Sequence, residues 1–306
     1  MHERKSEYGW IKWLGIGLVI LIMAGIVWRE WGRSQIVGRD PHRFNLVMIT
    51  PNQGVTFLSF DPAEKTLFAI PFPSDLVIKS RSNGEYSISS LYKLGSYSGD
   101  GGMFARRKVQ GFMRVPIPGY LVVKKDRGQV KSTLMAGLLR TIWGKTDTSL
   151  SKLDAMSLMA DASAYNYREI SMEELLRASV FESLPGKTIY HSERLQQYVG
   201  TRFFDWAVGK TGTTVAVINA SGVDGLGNDM ADFLTNLGLD VVMVRSATNN
   251  QLETVSQWQM VDDPALKSLP ELFMSLFGLP RPGIGVDPQY RADVVIHVGQ
   301  DAKELF

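Results

Sequence analysis

TTVAVINASGVDGLGNDMADFLTNLGLDVVMVR, residues 213–245, decides the fold. Residues 213–219 are rich in β-branched side chains, which suit a buried strand. A turn of small residues follows at 220–227. From 228 to 237, Met230, Phe233, Leu234 and Leu237 recur at helical spacing, and Gly238 stops the helix. Residues 239–245 form a second strand and ADVVIHVG, 292–299, a third, with a helical stretch from Asp263-Pro264 to 277 between them. Strand–helix–strand–helix–strand predicts a small α/β sandwich with right-handed crossovers.

The glycines of the first turn need weighing. Gly222, Gly225 and Gly227 spell G-x-x-G-x-G, not the dinucleotide-binding order, and Asp240 starts the second strand rather than ending it. A Gly loop before a helix can hold an anion, but Asp224 and Asp229 beside it would repel one. The expectation is that Asn219, Gly222, Gly225 and Gly227 build a tight turn and a close helix–sheet contact.

Upstream, FNLVMIT at 44–50 is a strand. Runs at 55–60 and 66–71 around Asp61-Pro-Ala-Glu-Lys65 read as a hairpin. Residues 95–102 (GSYSGDGG) read as a loop, 104–112 as a helix and 117–123 as a strand. Residues 131–143 place Leu134, Leu138 and Ile142 on one helical face with Gly144 past the end. Residues 153–165 and 192–207 read as helices, and Ser171-Met-Glu-Glu174 as a capping box. The central region is thus a second α/β unit with a mixed sheet.

The first residues differ from both. WLGIGLVILIMAGIVW, 13–28, has no charge in sixteen residues, and Trp10, Trp13, Trp28 and Trp31 flank it as interfacial indoles do. The following Val27-Trp-Arg-Glu-Trp31 is a poor cleavage site, so the run reads as an uncleaved anchor. The expected organisation is a terminal segment at 1–12, a transmembrane anchor at 13–31 and a stalk at 32–43. The central unit follows at 44–208 and the C-terminal unit at 213–306. Basic residues on the two sides of the run nearly balance and do not fix its direction.

Charge divides along the same lines. Residues 44–210 carry 21 Lys and Arg against 15 Asp and Glu; residues 211–306 carry five against 12. Opposite signs suggest two units facing different partners, or each other. No cysteine among 306 residues excludes a disulfide scaffold, a cysteine-bound metal and a thiol nucleophile, and four scattered histidines argue against a His-built metal centre. No cofactor is expected.

The pieces VINASGVDGLGNDMADFLTNLGLDVVMV and YRADVVIHVGQDA together resemble the C-terminal domain of LytR-type cell-envelope proteins. FNLVMIT, GVTFLSFDPAEKTLFAIP, SLYKLGSYSGDGG and VPIPGYLVV, more faintly, resemble the LytR-CpsA-Psr domain that lies between a membrane anchor and that C-terminal domain. The resemblance implies an envelope protein with its N-terminus, residues 1–12, in the cytoplasm and its bulk outside. It implies a phosphotransferase that moves undecaprenyl-linked glycopolymers onto peptidoglycan, with arginines on the pyrophosphate and aspartates on a divalent metal. It also implies a deep apolar cavity, lined or capped by Pro116, Pro118 and residues 117–123.

Residue by residue, that chemistry does not carry over. The family's metal-binding Asp falls near Gln53 or Gly54, and its Arg-Asp pair on Phe72-Pro73 with Asp75 displaced. Arg168 and Arg194 stand isolated where the family has an arginine cluster. With no metal ligands and no clamp, the developing charge of a phosphoryl transfer has no stabiliser. The expectation is a non-catalytic, LytR-CpsA-Psr-like protein with no catalytic or metal-binding residues. It would bind anionic lipid-linked or wall glycopolymer through Arg106, Arg107, Lys108 and Arg114, with Lys124 and Lys125. Nucleic acid is not expected, because no aromatics interleave with the cations. Two alternatives stand: a transferase built on Asp61, Asp75, Asp100 and the 106–108 cluster, and a scaffold that binds another envelope protein through the acidic C-terminal unit.

Overall fold

Residues 44–49, 55–61 and 66–71 are mostly apolar on both alternating sets of positions, the pattern of strands covered on both faces. The computed structural model describes residues 13–14, 16, 18, 21, 25, 28–37, 42–50, 54–80, 84–248, 251–267 and 269–306. Strands β1 (Phe44–Ile49), β2 (Val55–Asp61) and β3 (Thr66–Pro71) form an antiparallel meander. After β3 come a small hairpin, β4 (Val77–Ser80) with β5 (Gly84–Ser87), and helices α1 (Leu91–Ser96) and α2 (Gly101–Met113). Then β6 (Gly119–Val122) adds parallel to β1. Helices α3 (Val130–Ile142) and α4 (Lys152–Ala164) lead to β7 (Asn166–Glu169), which adds parallel to β3 and completes the five-stranded order β6-β1-β2-β3-β7.

Side chains alternate strictly across this sheet. Val47, Ile49, Val55, Phe57, Phe68 and Ile70 face one core, where α2 adds Ala105, Val109 and Phe112. Leu46, Met48, Leu58, Phe60, Leu67 and Ala69 face the other, under Leu134 and Leu138 of α3 and Leu158 of α4. The first face is also closed by α5 (Met172–Arg177), the hairpin β8 (Phe181–Leu184) with β9 (Lys187–Tyr190), and α6 (Ser192–Arg202). Phe203 packs edge-on against Phe57 at 5.2 Å and Phe68 at 5.9 Å. Its burial ends α6 short of the expected residue 207. The expected loop at 95–102 is likewise shorter, since α1 runs to Ser96 and α2 begins at Gly101.

The second sheet has the order β11-β10-β14-β12-β13. β10 (Thr214–Asn219) lies parallel to β11 (Asp240–Ser246) and to β14 (Val294–Val298), as the βαβ pattern requires. Two strands absent from the sequence reading extend it: β12 (Gln257–Met260), antiparallel to β14, and β13 (Gly283–Ile284). Helices α7 (Leu226–Leu237) and α8 (Leu269–Phe277) cover one face through Met230, Phe233, Leu234, Leu237 and Phe273. Mixed α/β architecture with mixed sheets therefore holds for both units.

Nine of the 19 residues of the expected span at 13–31 lie outside the described residues; among those described, no helix is long and apolar enough to cross a membrane. Residues 28–33 are helical, and the chain after them is fastened to α4. Glu30, buried, accepts from the backbone N–H of Lys152 at 3.0 Å. One oxygen of Asp154 accepts from Ser34 Oγ (2.7 Å) and from the N–H groups of Gln35 (3.0 Å) and Ile36 (3.1 Å). Its other oxygen closes a capping box with Ser151. Asp154 is fully buried yet saturated with donors at a helix N-terminus, which is how a lone carboxylate survives burial.

Candidate functional site: the junction between the two sheets

Helix α2 lies against the C-terminal unit, and its cations decide what the junction can do. A helix turns about 100° per residue, so three consecutive cations cannot share one face. Arg106 is turned inward: a guanidinium nitrogen donates to the carbonyl of Ile117 at 2.7 Å, and burial pushes its pKa down to about 10. Lys108 is buried too, donates to Ser80 Oγ at 2.7 Å and stands 5.7 Å from the Phe104 ring centroid. Only Arg107 of the three is exposed.

Arg114 ends α2 in the left-handed conformation at φ +50°. Its guanidinium bridges Asp229, at 2.5 Å, and Asp232, both on α7, and its carbonyl accepts from Asn236 at 2.8 Å. Lys124 and Lys125 lie exposed on the loop after β6. The six expected basic residues therefore do not form one exposed patch: two are buried, one locks the junction, and three remain open. At Arg114, the basic and acidic units face each other.

Beside this lock lies a cleft of about 330 Å³. Arg107 and Arg106 stand on one side, and Met103, Met230, Met274 and Phe277 supply an apolar wall. Two carboxylates share it, Asp301 and Glu304. Asp301 is engaged by Ser256, through N–H at 2.9 Å and Oγ at 2.6 Å. The cleft that Pro116 and Pro118 line is a different one, shared with Phe203 and Leu237, and measures about 20 Å³. That is room for about one water. Ile117, Leu121 and Val123 are core residues, so the expectation that this segment lines a polyprenyl-sized cavity is corrected.

The alternative carboxylates do not converge. Asp61 pairs with buried Arg43 and accepts from the N–H groups of Ala63 (2.9 Å) and Glu64 (3.1 Å) in the hairpin turn. Asp75 lies past the open end of the same hairpin and accepts from Thr188 Oγ1 at 3.1 Å. The register Asp61↔Thr66 to Thr56↔Pro71 separates those ends by about 17 Å at about 3.4 Å per residue. Asp100 precedes α2 and acts electrostatically on Arg106 and Tyr120. Among the described residues, no three His, Asp or Glu side chains group as a cation site.

A cluster the sequence reading missed sits near Asp100. Tyr120 (3.0 Å) and Tyr92 (3.3 Å) both donate their hydroxyls to Asp147. Burial, reinforced by Asp147, raises both phenols, Tyr120 to about 12. The Gly101-Gly102 pair serves these rings: a Cβ on Gly102 would lie 2.1 Å from the Tyr120 ring.

In the C-terminal unit, Asn219 donates to the carbonyl of Val223 at 2.8 Å and accepts from Ser221 Oγ at 2.6 Å. Gly225, at φ +77°, opens α7 in a conformation that favours glycine. A Cβ on Gly227 would come 3.0 Å from that of Asn219. These contacts have the form of a tight turn with close helix–sheet packing. The late motif is equally structural. Asp293 accepts from Thr214 N–H and Oγ1, both at 2.8 Å, and a Cβ on Gly299 would strike the Val255–Ser256 backbone at about 2.5 Å.

Residues 212–301 match the family model LytR_C, described as LytR cell envelope-related transcriptional attenuator. The match falls on the C-terminal unit. No curated protein matches the chain. Among solved structures, it is similar to B. subtilis TagT at 13% identity and a TM-score of 0.36, over 54% of this chain and 91% of that one. A LytR-CPS2A-psr family protein, YwtF (TagT), described with bound octaprenyl pyrophosphate lipid, gives 13% and 0.36 over 54% and 92%. A transcriptional regulator from Enterococcus faecalis gives 10% and 0.39 over 65% and 88%.

Proposed function

We propose that the chain is a single-span, membrane-anchored envelope protein whose bulk lies outside the membrane, and that it binds an anionic, lipid-linked wall component without transferring it. One observation carries the binding: the junction cleft sets the exposed guanidinium of Arg107 against a wall of methionine and phenylalanine side chains. A cation beside an apolar wall suits an amphiphile with an anionic head and a hydrocarbon chain. The uncharged run at 13–28 with its flanking tryptophans supports the anchor, and the family resemblance supports the N-in direction.

The positions of the acids support the non-catalytic reading. Asp61 is held in a turn, Asp75 is held by Thr188, and the two lie at opposite ends of the hairpin. A phosphoryl transfer needs converging charge at one point. The test uses the full chain in detergent with geranylgeranyl diphosphate and geranylgeraniol as probes. Saturable binding of the diphosphate, weakened by salt and by Arg107→Glu, is the expected result. Equal binding of the alcohol, or no response to Arg107→Glu, overturns the reading.

A further inference from the structure

Strand β12 alternates Trp258 and Met260, buried beneath α8, with Gln257 and Gln259, exposed on the opposite face of the second sheet. His297 of β14 is the direct cross-strand partner of Gln257. With Glu253 and Arg281 these side chains line a groove of about 400 Å³, a size that holds small ligands. Nδ1 of His297 lies 3.3 Å from one oxygen of Glu253. The other oxygen of Glu253 is buried and has no hydrogen-bond partner among the described residues. Glu253 and His297 thus form one polar pair on the wall of the groove. Gly283 lies beside Gln259, where a Cβ would stand 3.4 Å from Gln259 Cγ, so no side chain from β13 fills the floor.

The chemistry of the lining selects the ligand. Two carboxamides each donate and accept, the imidazole does either, and the charges of Arg281 and Glu253 offset each other. An anion would meet Glu253, and an apolar ligand would strip water from five polar groups with nothing in return. A neutral ligand rich in hydroxyls satisfies all of them, giving a proton to Glu253 and lone pairs to Arg281 and the carboxamides. We propose that this groove is a saccharide-binding site. Ser256 borders both this groove and the junction cleft, so the two sites adjoin. The groove does not depend on the lipid reading, because a soluble sugar fills it alone.

The test is calorimetric titration of the full chain in detergent with two neutral probes, the N-acetylglucosamine trisaccharide and maltotriose. At least one should bind. Gln259→Ala and His297→Ala should each weaken it about five- to tenfold, the effect of about one lost hydrogen bond. Gln259 is exposed, so its variant keeps the fold, which circular dichroism checks. Arg107→Glu should leave sugar binding unchanged, which separates this site from the junction cleft. Binding of neither sugar, binding indifferent to Gln259→Ala and His297→Ala, or loss with Arg107→Glu overturns the proposal.

Discussion

Arg114 shows how one side chain can be read correctly for sign and wrongly for role. Removing its guanidinium strips Asp229, whose side chain is 5% exposed, of the cation it shares with Asp232. Breaking a buried pair from one side costs about 3 kcal/mol, so Arg114→Ala should lower the unfolding free energy measured by urea titration by about that amount. Asp232 is far more exposed, and Asp232→Asn should cost under about 1 kcal/mol. Equal losses in the two variants would show that the bridge to Asp229 is not the strong arm. The positions of Arg106 and Lys108 were legible in principle. Ala105, Val109 and Phe112 fix the buried face of α2, and the residues beside that face cannot all point to solvent. Tyr120 gives a pH signature. Its phenol is raised to about 12 by burial and by Asp147. The stability it contributes is therefore complete below the ordinary phenol value of 10.0 and is lost as pH rises through 12. Tyr120→Phe should flatten the stability curve between those values in urea titrations at fixed pH.

Among the elements, long and strongly patterned ones were readable and short polar ones were not. β1 to β3, α3, α4, α7 and β10 appear within a few residues of their expected bounds, because their apolar periodicity is set by burial on one or two faces. β5 (GEYS), β7 (NYRE) and β9 (KTIY) are four-residue strands whose pairing is tertiary, and nothing local announces them. Ser171 does cap α5, accepting from Glu174 N–H at 3.3 Å, but the Glu174 carboxylate turns to Tyr198 (2.8 Å) and Arg202 (2.9 Å). The true reciprocal box is Ser151 with Asp154, where an Asp stands in for the usual Glu or Gln. That box also holds residues 34–36. Asp154→Ala should cost about 2 kcal/mol, at the upper end for a lost cap. It should also speed amide exchange at 35–36 and at Ser151, whose N–H donates to the second Asp154 oxygen, while leaving β1 protected. Unchanged exchange at 35–36 would mean that Glu30 alone holds the segment.

For the whole molecule, the two units meet through close backbone contact as well as charge. A Cβ on Gly111 would lie 2.6 Å from the Leu305 carbonyl oxygen and from Phe306 Cα, and Ser80 Oγ donates to the Phe306 carbonyl at 3.1 Å. Gly111→Val should therefore push the units apart. Calorimetry should then show two transitions where the parent shows one, with a larger radius of gyration in solution scattering. A single transition at an unshifted temperature would mean that the junction yields without separating. The fastening of residues 30–36 has a mechanical consequence. Tension drawn along the N-terminal segment does not reach the sheet directly: it meets Glu30 first, then three donors loaded together on one Asp154 oxygen. Behind them, Arg43 N–H is tied to Asp205 at 3.0 Å and its guanidinium to Asp61. These anchors fail in series, so a pull is absorbed as a sequence of small slips before β1 feels any load.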